Sequence, residues 1–89
     1  MMMAERNLTV TAENGLHAQA SAKVVQLLSH YDSTIQLALG GRVVNAKSIM
    51  GVMLLAAGPG KQIIATADGA DAEQALDALE RLFNNQFAD

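Results

Sequence analysis

The sequence predicts an α+β fold, one mixed or antiparallel sheet with helices packed on a single face. Several short segments alternate apolar and polar residues with period two, and others repeat apolar residues at helical spacing. Their order along the chain is β-α-β-β-α-β-α. One tight hairpin with the helices segregated between strands favours an α+β layer over a doubly wound parallel sheet. A chain of 89 residues without internal repeat or linker forms one domain, 1–89.

Arg6–Ala12 alternates, with Leu8, Val10 and Ala12 on one side and Asn7, Thr9 and Thr11 on the other, as in a half-buried strand. Glu13-Asn14-Gly15 breaks it. From Ala18 to about Ser29, residues Ala20, Val24, Leu27 and Leu28 share one helical face, and Tyr31-Asp32-Ser33 ends that element. Thr34–Leu39 alternates again, Gly40-Gly41 is a two-residue hairpin signal, and Arg42–Asn45 returns. Ser48–Ala57 reads as helical and stops at Gly58-Pro59-Gly60. Lys61–Ala67 is a fourth strand, with Ile63, Ala65 and Ala67 inward. From Ala70 to about Phe83 a third helix carries the core stripe Ala72, Ala75, Leu76, Leu79, Leu82 and Phe83.

Composition narrows the function. Hydrophobic residues make up 51%, enough for a core with one Tyr and two Phe, and the absence of Cys excludes disulfides and thiolate metal sites. No His/Asp/Glu spacing suits a metal, so no metal and no cofactor is expected. The start, MMMAERN, lacks a signal peptide's apolar stretch, and the most apolar run, Ile49–Ala57, is too short to span a bilayer. The expectation is a cytoplasmic, soluble monomer with no membrane insertion. A net charge of −3 argues against nucleic acid. Residues 1–61 hold five basic side chains against three acidic ones, and residues 62–89 hold Arg81 alone against six acidic ones. That asymmetry fits either ordinary solvated faces or a mildly basic front meeting acidic partners.

Two constellations stand out. The stretch NGLHAQASAKVV puts His17 between a turn and the first helix. The first turn of a helix offers unpaired N–H groups and a partial positive charge, which bind phosphate without further machinery. Ala18, Ala20 and Ala22 leave the ring approachable. A histidine there also has a plain reading, as a cap of backbone N–H groups or a solvated side chain. The stretch NAKSIMGVMLLAA is apolar nearly all round, with Ile49, Val52, Met53 and Ala56 on one face and Met50, Leu54 and Ala57 on another. A short helix in a small domain does not bury both, so one face is expected to be exposed for docking, unless loops and the third helix cover them. Ser48 is placed as the N-cap of that helix. A phosphate on Ser48 would suit the helix N-terminus and add roughly −1.5 to −2 charge beside the patch. There is no Ser-His-Asp set, and Gly58-Pro59-Gly60 lacks the Lys-Ser/Thr of a P-loop, so a standalone enzyme is not expected.

Together NGLHAQASAKVVQLL, RVVNAKSIMGVMLLAAGPG and ATADGADAEQALDALERLF resemble HPr, the histidine phosphocarrier family of the phosphoenolpyruvate:sugar phosphotransferase system. The resemblance runs from about residue 6 to 83. It implies an open-faced β-sandwich, four strands with three helices on one side. It implies that His17 takes a phosphoryl group on Nδ1 from phosphorylated enzyme I and passes it to enzyme IIA-type acceptors. The family's second site, a serine phosphorylated by HPr kinase/phosphorylase, matches Ser48. Ala20, Lys23, Lys47, Ile49, Met50 and Met53 match the docking surface. The family usually carries Arg two residues after the histidine, and here that position is Gln19. Losing a charged contact to a transferring phosphoryl group costs about 2–4 kcal/mol. A regulatory binding module with weak or no transfer is therefore the alternative reading, and Lys23 is a partial substitute for the missing charge.

Overall fold

The computed structural model describes residues 3–88. Seven elements follow in the predicted order: β1 (Met3–Thr9), α1 (Ala18–Leu28), β2 (Thr34–Leu39), β3 (Arg42–Asn45), α2 (Ile49–Leu54), β4 (Gln62–Asp68) and α3 (Ala72–Asn84). The sheet order is β1-β4-β2-β3, and every pair is antiparallel. β4 lies between β1 and β2, with Leu8 opposite Ile63 and Leu37 opposite Ala65. Gly40 and Gly41 both have positive φ, 55° and 81°, as a two-residue turn linking right-twisted strands requires.

The strands bury one face. Leu8, Val10, Ile35, Leu37, Ile63, Ala65 and Ala67 join Val24 and Leu28 of α1, Val52 of α2, and Leu76, Leu79 and Phe83 of α3 in one core. The opposite face is open, lined by side chains such as Glu5, Asn7, Thr9, Gln36 and Ile64. The result is the open-faced α+β layer expected, with all three helices on the buried side.

β1 starts three residues earlier than the alternation suggested. Its first half presents Ala4 and Arg6, not a bulky apolar residue, to the helix side. The Arg6 guanidinium lies under α3, within 3.0 Å of Glu73 and Glu80 and 2.5 Å of Asp77. Asp77, chiefly through its hydrogen bond, and Glu80 hold the guanidinium pKa above its ordinary value. At the N-terminus of α3 the Asp71 carboxylate accepts from the backbone N–H of Asp32 (2.8 Å) and Ser33 (3.0 Å) and from the Ser33 hydroxyl. These bonds, led by the Ser33 hydroxyl, hold its pKa below the usual aspartate range. Gly69 lies flush on Ser33, where a Cβ would come within 2.5 Å of the hydroxyl oxygen.

Candidate functional site

The backbone before α1 is fixed by the loop after α2. Val10 donates to the Lys61 carbonyl and Gly60 to the Val10 carbonyl, continuing the β1–β4 pairing beyond β1. Gly15 then turns at φ +66°, lying so close to the Ala57 carbonyl that a Cβ would be 2.4 Å from its oxygen. Leu16 donates to that same carbonyl at 2.9 Å and buries its side chain. His17 follows as the N-cap of α1, in extended conformation with φ −76° and ψ −177°.

The His17 side chain caps the helix itself. Nδ1 accepts from the backbone N–H of Gln19 at 3.2 Å and of Ala20 at 3.4 Å, and the His17 carbonyl accepts from Ser21 at 2.8 Å. The plain capping reading and the phosphate reading thus describe one geometry. An accepting Nδ1 is unprotonated, so the neutral ring carries its proton on Nε2. Nδ1 is aimed at the N–H groups that would receive an anion attached to it.

A recess of about 270 Å³ opens beside the ring, lined by His17, Gln19, Ala20 and Lys23 on one side and Gln86, Phe87 and Ala88 on the other. Its second wall lies outside the elements read from sequence. α3 ends in a Schellman motif, with Phe87 N–H donating to the Leu82 carbonyl (2.9 Å) and Gln86 N–H to the Phe83 carbonyl (3.2 Å). Gln86 and Phe87 take positive φ, 59° and 61°, which folds the tail back onto α1. Phe87 is buried edge-to-face on Phe83 at 4.9 Å, and its carbonyl accepts from Lys23 Nζ at 2.7 Å. The sequence signal for this wall was the spacing of Phe83 and Phe87.

The second constellation forms α2. Ser48 Oγ accepts from Gly51 N–H at 3.1 Å, the N-cap bond expected of it. Val52 and Leu55 face the core, while Ile49 (43% exposed), Met50 (70%), Met53 (40%) and Leu54 (59%) face outward as one apolar patch. The division differs from the two faces drawn on the sequence, because Ile49 and Met53 leave Val52 and join Met50 outside. α2 is also shorter than expected, ending at Leu54 before Ala56 turns to φ +52°. The Arg42 guanidinium donates to the Leu54 carbonyl at its end.

Two residues expected on a docking surface are placed otherwise. Ala20 is buried in the core at the edge of the recess. Lys47 is half-buried with Nζ on the Tyr31 carbonyl at 2.6 Å. Gln19 is exposed at the recess, with only a neutral amide to offer there.

Residues 4–85 match the family described as the PTS HPr component phosphorylation site. The chain belongs to the HPr family. The phosphocarrier protein HPr of Xylella fastidiosa strain Temecula1 is 54% identical over 85 residues, covering 96% of each chain. A crystal structure of HPr-C-His from Thermoanaerobacter tengcongensis matches with a TM-score of 0.92, at 36% identity and 97% coverage of each chain. An HPr dimer from the same organism matches with a TM-score of 0.77 at 38% identity, covering 92% of this chain and 97% of the other. The HPr family supplies phosphocarriers of the phosphotransferase system, and the α+β layer above is the HPr fold. No helix among the described residues is long and apolar enough to cross a membrane.

Proposed function

We propose that this HPr-family chain carries a phosphoryl group on Nδ1 of His17, taken from phosphorylated enzyme I and passed to an enzyme IIA-type acceptor. The observation that carries the proposal is the aim of Nδ1 at the open N-terminus of α1. In the accepting step the Nδ1 lone pair forms a bond to phosphorus while the donor's bond to phosphorus breaks, and the donor nitrogen keeps the electron pair. Nε2 keeps its proton throughout. The Gln19 and Ala20 N–H groups, released by Nδ1, are then available to phosphoryl oxygens. The chain acts as a monomeric cytoplasmic carrier without metal or cofactor, and the patch of Ile49, Met50, Met53 and Leu54 receives its partners. Phosphorylation of Ser48 by a kinase of the HPr kinase/phosphorylase type sets a dianion at the rim of that patch and changes partner choice with little change in fold.

Phosphoenolpyruvate labelling through enzyme I tests the proposal. The parent becomes labelled with an acid-labile phosphate, and His17→Ala stays blank. Gln19 supports the second reading, a regulatory module with little transfer. A parent that stays unlabelled while Gln19→Arg labels selects that reading.

A further inference from the structure

We propose that the folded-back tail of α3 walls the phosphoryl site against water, with Phe87 as the positioning residue that holds the tail in place. This deepens the phosphocarrier reading and rests on it. The tail is built at a conformational cost. Gln86 and Phe87 are consecutive non-glycine residues in the left-handed region, which disfavours any residue with a Cβ. Contacts on three sides hold them there. The Phe87 ring is buried edge-to-face on Phe83, and its N–H donates to the Leu82 carbonyl. The Phe87 carbonyl accepts from Lys23 Nζ on α1. The Phe83 carbonyl receives both the Gln86 N–H at 3.2 Å and the Thr11 hydroxyl at 3.1 Å. The tail is thus tied to α1 and to the segment that leads to His17.

What the tail encloses is the recess beside the His17 ring, where Gln86, Phe87 and Ala88 face His17, Gln19 and Ala20. Nδ1 is aimed at the Gln19 and Ala20 N–H groups, so a phosphoryl group on it stands at that recess. These three tail residues bring no charged side chain. They take up space that water would fill, and they do not repel a dianion. A carrier needs such a wall because its phosphoryl group has two fates. In hydrolysis a water oxygen bonds to phosphorus and the Nδ1–phosphorus bond breaks. Nδ1 keeps the electron pair, and both water protons leave on the released phosphate. Excluding water from a reactive intermediate suppresses that loss. Transfer brings its own acceptor group on a docked protein, so a wall on one flank slows hydrolysis and spares transfer.

The test labels the full chain from phosphoenolpyruvate through enzyme I, removes enzyme I, and follows the release of inorganic phosphate. Two variants free the tail by independent routes. Phe87→Ala removes the buried anchor, and Gln86→Pro forbids the left-handed turn at an exposed position. Phe87→Leu keeps an apolar side chain on Phe83, and thermal unfolding checks folding. Both tail-freeing variants are expected to shorten the lifetime of the phosphoryl group about fivefold, and Phe87→Leu to stay within about twofold of the parent. The saturated labelling rate is expected to stay within about twofold of the parent in all three. A further readout needs no variant: deuterium exchange of the Gln86 and Phe87 N–H groups stays as slow after phosphorylation as before, because the wall remains in place. An unchanged lifetime in either tail-freeing variant that folds overturns the proposal and leaves the phosphocarrier reading standing. Faster exchange of the two N–H groups on phosphorylation also overturns it, because the tail then leaves the site. A parent that never labels overturns both.

Discussion

Gly15 shows how tightly the position of His17 is specified. Any side chain there meets the Ala57 carbonyl, and its φ of +66° disfavours every residue with a Cβ. Gly15→Ala is expected to cost about 2–4 kcal/mol, read as a lower urea midpoint, and to slow His17 labelling in whatever fraction stays folded. At Gln19 the missing charge sets the other residue-scale expectation. Gln19→Arg adds a bidentate cation at the recess and raises the single-turnover labelling rate roughly tenfold. The two caps were legible in the sequence, because His17 and Ser48 each follow local turn chemistry just before a helical pattern. Ala20 was not, since a small residue in the first turn of a helix reads equally as surface or core. Lys47 was misplaced for a related reason: a lysine stem lies along apolar surface, and only the fold shows which carbonyl its head reaches.

Helix ends are where element-scale reading fell short. Both α2 and α3 stop at residues in the left-handed region that are not glycine: Ala56 at φ 52° after α2, and Gln86 at φ 59° after α3. With no glycine at either left-handed position, the pattern ran α2 on to Ala57, up to Gly58, and ended α3 near Phe83 without its folded-back tail. Ala56→Gly is expected to raise stability by about 0.5–1 kcal/mol, as relief of the left-handed strain outweighs the added freedom of the unfolded chain. Chemical denaturation of the pair measures it. The early start of β1 escaped notice for a different reason. Arg6 occupies an inward position that an alternation rule assigns to an apolar side chain, and the three α3 carboxylates that make this tolerable lie 67 to 74 residues away. The guanidinium spaces apart carboxylates stacked on one helix face, so its value exceeds that of an isolated surface pair.

Across the whole molecule, element order and the buried face followed from periodicity, whereas the position of β4 between β1 and β2 depends on long-range pairing that no local pattern encodes. Asp71 is one long-range tie, joining the start of α3 to the turn before β2. Its carboxyl titrates lower in the folded chain than its ordinary 3.8. That stabilisation is therefore present above pH 3.8 and is lost as pH falls through the lower folded value. Acid titration of thermal stability is expected to fall less steeply in Asp71→Asn than in the parent over that window. The open layer has a further chemical consequence. Every methionine among the described residues is exposed: Met3 at 66%, Met50 at 70% and Met53 at 40%. Peroxide converts an accessible thioether to a polar sulfoxide, and the core here contains none to attack. Two of the three stand on the outward face of α2, after Ser48, so oxidative damage falls on the proposed docking patch before it reaches the core.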